Sequence, residues 1–120
     1  MSEIVEVPLH RIAHARAGDK GDRLNLSLIA WREALYPLIR EQVGAARVHA
    51  LFAHRGATQV ARHELPRLWA LNFVIDDVLE GGVNDALNLD GNGKTHSFLL
   101  LSLTVQVPRS LLSPEEELRT

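Results

Sequence analysis

His14, Arg16, Asp19, Lys20, Asp22, Arg23 and Asn25 fall within a dozen positions of this 120-residue chain, the densest run of chemically able side chains in it. Gly18 and Gly21 bracket the pair Asp19-Lys20. Glycine reaches φ > 0 without steric cost, so the two predict a tight loop with convergent backbone N–H groups. If the flanks are strands, alternate residues share a face, and His14 and Arg16 project to one side. Clustered N–H groups beside Lys20 suit a phosphate or carboxylate. Asp19 and Asp22 pull the other way, toward a Mg²⁺-type cation or toward anchoring Lys20. The residues alone therefore leave the charge of a ligand open. For catalysis, His14 is the candidate general base, because imidazole titrates near neutral pH, with Lys20 as oxyanion partner. That pair would fit a small hydratase or lyase acting on an acyl compound. No complete acid–base–nucleophile set accompanies it, so a binding site without chemistry is the better reading. The plainest alternative is a polar hairpin loop with solvated charges.

Composition narrows the function classes. A formal net charge of −2 argues against a nucleic-acid binder and against a polybasic membrane anchor. There is no cysteine, which removes disulfides, thiolate nucleophiles and sulfur-ligated metals. The N-terminus Met1-Ser2-Glu3-Ile4-Val5-Glu6 carries acids and no long apolar run, unlike a signal peptide. No apolar run approaches the roughly 18 residues of a membrane-spanning helix. A soluble, cytoplasmic protein is expected. Gly93-Lys94-Thr95 is similar to the end of a P-loop, but Asn88 stands where that motif needs Gly. Asp90-Gly91-Asn92 opens like a calcium loop, yet Leu101 stands where the closing Glu belongs. His10, His14, His49, His54, His63 and His96 show no metal-ligand spacing, so no metal site is expected. No nucleophile-elbow sequence marks a Ser-His-Asp set.

These residues need elements to hold them. Pro8 to Ala17 reads as a strand of mixed alternation. Leu24 to Trp31 reads as a better one, with Leu24, Leu26, Leu28 and Ala30 on one face and Asn25 and Ser27 on the other. The connection from Gly18 to Arg23 looks too long for a two-residue hairpin. Leu35, Leu38, Ile39 and Val43 follow a helical period, Gly44 interrupts, and Val48, Leu51 and Phe52 resume it before Gly56. Two short helices are predicted, with His49 and His54 on their surfaces. Thr58 to Leu65 reads as a strand ended by Pro66. Leu68 to Leu79 reads as the strongest helix, on the stripe Leu68, Leu71, Ile75, Val78 and Leu79. Asn72 falls inside that stripe and needs a partner, since an unpaired buried amide costs about 1–3 kcal/mol. The least strained partner lies between Gly18 and Asn25. Asn84 to Leu89 reads as a strand and Asp90 to Gly93 as a turn. Residues 95–103 fit helix or strand, and Leu103, Val105 and Val107 end as a strand. One domain over residues 1–110 and a frayed polar tail over 111–120 are expected.

Ala15-Arg16-Ala17-Gly18-Asp19-Lys20-Gly21-Asp22 with Asn25, Leu65-Pro66 with Ala70-Leu71-Asn72-Phe73, Gly81-Gly82, and Leu89-Asp90 with Gly93-Lys94 follow in order. Together they resemble the AtuA-like domain family, from about Leu9 to Leu101. Its members are similar to the C-terminal part of the acyclic terpene utilisation protein AtuA, and stand-alone versions occur. The resemblance implies a ferredoxin-like α+β fold and a setting in catabolism of acyclic terpenoids and related acyl-CoA compounds. It implies no settled reaction and names no cofactor. It also implies association with an AtuA-type large domain, and a small carboxylated or acyl-CoA metabolite as ligand. The candidate ligand-binding residues are then Arg16, Gly18, Asp19, Lys20, Gly21, Asp22, Asn25 and Asn72, with Gly81 and Gly82. The expected architecture is an antiparallel sheet with helices on one face. The apolar surface left over predicts a homo-oligomer, most simply a C₂ dimer.

Overall fold

Alternation sets the central strand: along Arg23–Ala30, the strand β3, every second side chain is buried, namely Leu24, Leu26, Leu28 and Ala30. The structure, a computed structural model, describes residues 3–20, 23–77, 96–114 and 116, with residues 19, 20 and 55 described through their backbone alone. The strands are β1 (Ile4–Pro8), β2 (Ala13–Lys20), β3, β4 (Gln59–Leu65), β5 (Ala70–Asp76) and β6 (Thr104–Pro108). Four make an antiparallel sheet in the order β2-β3-β5-β4, and β1 pairs with β6 in a separate antiparallel ribbon. The helices are α1 (Tyr36–Gln42), α2 (Ala45–Phe52) and α3 (residues 96–101). This is the α+β, ferredoxin-like class, with the helices on one face of the sheet.

The helices break where the sequence weakens them. Pro37 sits in the first turn of α1, where its missing N–H costs nothing. Gly44 is extended, at φ −92° and ψ 169°, and begins α2 anew. Gly56 ends that segment at φ 91°, a conformation only glycine adopts freely. Tyr36, Ile39, Val43, Val48 and Phe52 pack with Leu24, Leu26, Leu28, Leu71, Phe73 and Ile75 in one core. Val7, Val105 and Val107 extend it to the ribbon. Arg62, on the helix-facing side of β4, donates to the α1 carbonyl of Arg40 at 2.9 Å and so caps an orphaned helix end. Gln42 ties α1 to the ribbon through two hydrogen bonds with the backbone of Gln106, both 2.8 Å. No described helix is long and apolar enough to cross a membrane.

Where a helix is expected over Leu68–Leu79, residues Ala70–Asp76 form a strand instead, and Val78 and Leu79 lie outside the described residues. Leu71, Phe73 and Ile75 are fully buried and alternate with half-buried Asn72, Val74 and Asp76. Leu68, which began the helical stripe, is 63% exposed in a single 3₁₀ turn, Pro66–Leu68. Leu71 and Ile75 satisfy a period of two as well as a helical one, and Phe, Val and Ile favour the pleated surface. The early strand also starts differently: β1 ends at Pro8, a 3₁₀ turn follows over Leu9–Arg11, and β2 begins at Ala13. Gly18 is not a turn residue but lies in β2 opposite Asn25. Pairing runs out to Lys20 opposite Arg23, so the connection is shorter than predicted. The segment open between helix and strand is helix over 96–101, then strand from Thr104. The expected strand at Asn84–Leu89 and turn at Asp90–Gly93 lie outside the described residues.

The tail is tied down as far as Glu116, contrary to the fraying expected from its composition. Glu116 is only 2% exposed and receives Arg32 Nε at 2.8 Å, Arg32 Nη2 at 2.6 Å and the Ser113 N–H at 2.8 Å. These hydrogen bonds, Arg32's foremost, hold its carboxyl below the ordinary value of 4.5 against the opposing effect of burial. A carboxylate lowered in the fold stabilises it above the unfolded pKa, and that stabilisation is lost as pH falls through the folded value. Glu116→Gln should cost about 1–2 kcal/mol near pH 7. It should also flatten the acid limb of the stability curve, as urea unfolding at stepped pH would record.

Candidate functional site

Register fixes what the face of the sheet opposite the helices carries. Arg16 lies opposite Ser27, Ser27 opposite Asn72, and Asn72 opposite His63. One polar row therefore crosses all four strands, spanning about 14 Å at the usual strand spacing. The next row toward the β2–β3 connection is Gly18, Asn25, Val74 and Ala61. The row on the other side is apolar apart from its first member: His14, Ile29, Ala70 and Leu65. His14 stacks on Trp31, with centroids 4.2 Å apart.

Asn72 is the hub. Its Nδ2 donates to Asn25 Oδ1 at 2.6 Å and to Ser27 Oγ at 3.0 Å. The partner falls within the stretch from Gly18 to Asn25, but it is met across a strand pair rather than from a helix lying over the sheet. The geometry fixes where the remaining donors point. The Ser27 hydroxyl accepts from Asn72, so its own hydrogen is left to donate elsewhere. The Asn25 amide nitrogen and the Asn72 carbonyl oxygen have no partner among the described residues. Beside them, a Cβ built on Gly18 would meet nothing within 4 Å, so packing within this chain does not demand glycine there. Its missing side chain leaves Asn25 open to approach from the outer face.

The charges are unevenly placed. Arg23 pairs with Asp76 at 2.9 Å on the surface. Arg16 is exposed, and no carboxylate pairs with it among the described residues. Burial, and then the positive charge of Arg16, lower the His14 pKa from 6.5. Both effects favour the neutral imidazole. The sign of the linkage follows: a histidine harder to charge in the fold stabilises it above the unfolded pKa. That stability declines as pH falls below 6.5 toward the folded value. A ¹H NMR titration should place the His14 midpoint below 6.5, and Arg16→Gln should move it part of the way back.

His14 and Lys20, the candidate catalytic pair, share the outer face of β2 by register but stand six residues apart, about 20 Å along an extended strand. The fold thus brings Arg16, Gly18, Asn25 and Asn72 together and separates His14 from Lys20. Asp19 and Lys20 are placed only by backbone register, opposite Leu24 and Arg23. Gly21, Asp22, Gly81 and Gly82 lie outside the described residues. Among the described residues no group of three or more His, Asp or Glu side chains could hold a metal. His49 bonds the Ala57 carbonyl at 3.0 Å, and His54 is exposed in a 3₁₀ turn. Sequence reasoning placed Ser27 beside Asn25 on one face of β3 but missed His63 and Trp31 as members of the site. The alternation of β4 carried the signal for His63, but only the register joins it to Ser27 in a row.

A profile of the AtuA ferredoxin-like domain matches residues 7–106. No curated protein and no solved structure matches the chain. The matched span runs from Val7 in β1 to Gln106 in β6 and so takes in the whole four-stranded sheet with its outer face. The chain therefore belongs to the AtuA ferredoxin-like domain family.

Proposed function

We propose that this domain is a binding module whose outer sheet face holds a small carboxylated or CoA-linked metabolite without transforming it. Its setting would be the catabolism of acyclic terpenoids or related acyl-CoA compounds. The observation that carries this reading is the row Arg16–Ser27–Asn72–His63, in which one amide braces its neighbours while a guanidinium and donors without a partner among the described residues face outward. Outward donors beside a fixed cation suit an anionic acceptor such as a carboxylate. The separation of His14 from Lys20 weighs against their acting on one reacting atom, which disfavours the hydratase or lyase reading.

A flat sheet covers one side of a small molecule, whereas small-molecule sites enclose most of their ligand. The second wall comes from a second copy of the chain or from an AtuA-type large domain. Sedimentation with and without ligand separates the two. The function itself is tested by thermal shift against a panel of free carboxylic acids and acyl-CoA esters. Tm should rise with at least one class, by an amount that grows with ligand concentration, and the ligand should be recovered unchanged. No shift with any member, or conversion of the ligand, would contradict the reading.

A further inference from the structure

The large hydrophobic side chains left exposed are not scattered. Trp31 (44%), Leu65 (37%), Leu68 (63%) and Trp69 (37%) all belong to one end of the four-stranded sheet, whereas Ile4 and Phe98 belong to other elements. Trp31 follows β3 on the outer side, against His14. Leu65 ends β4 on the same side, opposite Ala70. Leu68 and Trp69 lie in the turn between β4 and β5, and the Ala30 N–H donates to the Trp69 carbonyl at 2.9 Å. Trp69 is held at φ 55° and ψ 41°, a left-handed conformation unfavourable for a bulky side chain. One row away from this apolar end stands Arg16, which no carboxylate pairs among the described residues.

We propose that the ligand is an elongated apolar chain ending in one carboxylate, with the carboxylate on Arg16 and the chain lying across Ile29 toward Trp31 and Leu65. This rests on the reading of the outer face as a binding surface and narrows it. Charge complementarity selects the head group. Of the described cations on this face, Arg23 is already paired with Asp76, and Lys20 stands four residues beyond Arg16 along β2, about 13 Å farther from the apolar end, which leaves Arg16 as the fixed positive charge beside that end. That matches a monocarboxylate, whose two oxygens meet the planar guanidinium fork. A CoA ester brings three phosphate groups and would need several cations. The aromatic and aliphatic surface one row along selects the tail: contiguous exposed apolar area of this kind marks a binding surface.

The protein carries its own reporter, because Trp31 and Trp69 are its only tryptophans. Intrinsic fluorescence of the full chain would be titrated with acetate, hexanoate, octanoate, decanoate, decanol and decanoyl-CoA. Arg16→Gln would be compared with the wild type, and Arg40→Gln, on α1, would serve as control. Affinity should rise about twofold per added CH₂ from hexanoate to decanoate, since an open face removes roughly half of each methylene from water. Arg16→Gln should weaken decanoate about tenfold, to the level of decanol, because a charge-assisted hydrogen bond is lost. The control should bind as the wild type does. The chain-length series on the wild type stands even if Arg16→Gln disturbs the fold. Decanol binding as tightly as decanoate would overturn the inference. Binding of decanoyl-CoA without the free acids would overturn it too, while leaving the broader binding function in place. No binding by any member would refute both.

Discussion

Phe73→Ala should destabilise the protein by about 3–5 kcal/mol, the usual cost of emptying a buried aromatic site. The ring is fully buried, on the helix-facing side of β5, between Leu26 of β3 and Arg62 of β4 in register. Val74, its neighbour on the outer face, is only half-buried, and Val74→Ala should cost about 1 kcal/mol. The contrast decides between strand and helix. Were residues 68–79 a helix packed on Leu71 and Ile75, Phe73 would point about 200° away from Leu71, toward water, and its loss would be mild. Urea unfolding of the two variants measures the difference directly. The fluorescence signal survives both substitutions, because Trp31 and Trp69 remain.

That case also shows what the sequence made legible. Strand β3 was readable because Leu24, Leu26 and Leu28 alternate with Arg23, Asn25 and Ser27, a pattern no helix reproduces. The helix pair was readable because Pro37 and Gly44 punctuate an otherwise regular period. Residues 68–79 misled because Leu71 and Ile75, four apart, fit both periods, and only tertiary pairing between β3 and β4 decided between them. Glycine misled at Gly18, whose type suggested a turn while cross-strand pairing extended it. For the candidate site, the need of Asn72 for a partner followed from the cost of a bare amide, and the segment that supplies the partner was named. The row itself was not legible. It depends on which residue of β2 faces which residue of β3, β5 and β4, and no local pattern encodes that register.

Asn72→Leu should weaken binding by tenfold or more while changing stability by at most about 1 kcal/mol. The expectation follows from the position of the amide. It is half-buried on the outer face, so leucine fits without a cavity in the core. What is lost is the brace on Asn25 Oδ1 and Ser27 Oγ. Both side chains then turn freely, and binding must order them again at the ligand's expense in affinity. Calorimetric titration gives the affinity, and a double-mutant cycle with Asn25→Ala separates the brace from direct contact. Strong non-additivity would mean that the two amides act as one unit, and additivity would mean that each meets the ligand on its own.

Binding at the outer face of the sheet is tested without any substitution by amide chemical shifts. A ¹⁵N-labelled sample would be titrated with decanoate and its shift changes placed on the structure. The largest changes should fall at Arg16, Ser27, Ile29 and Leu65 and at the Trp31 indole, with α1, α2 and the β1–β6 ribbon nearly unmoved. Saturable changes confined to those helices or to the ribbon, with the outer face of the sheet silent, would contradict binding there.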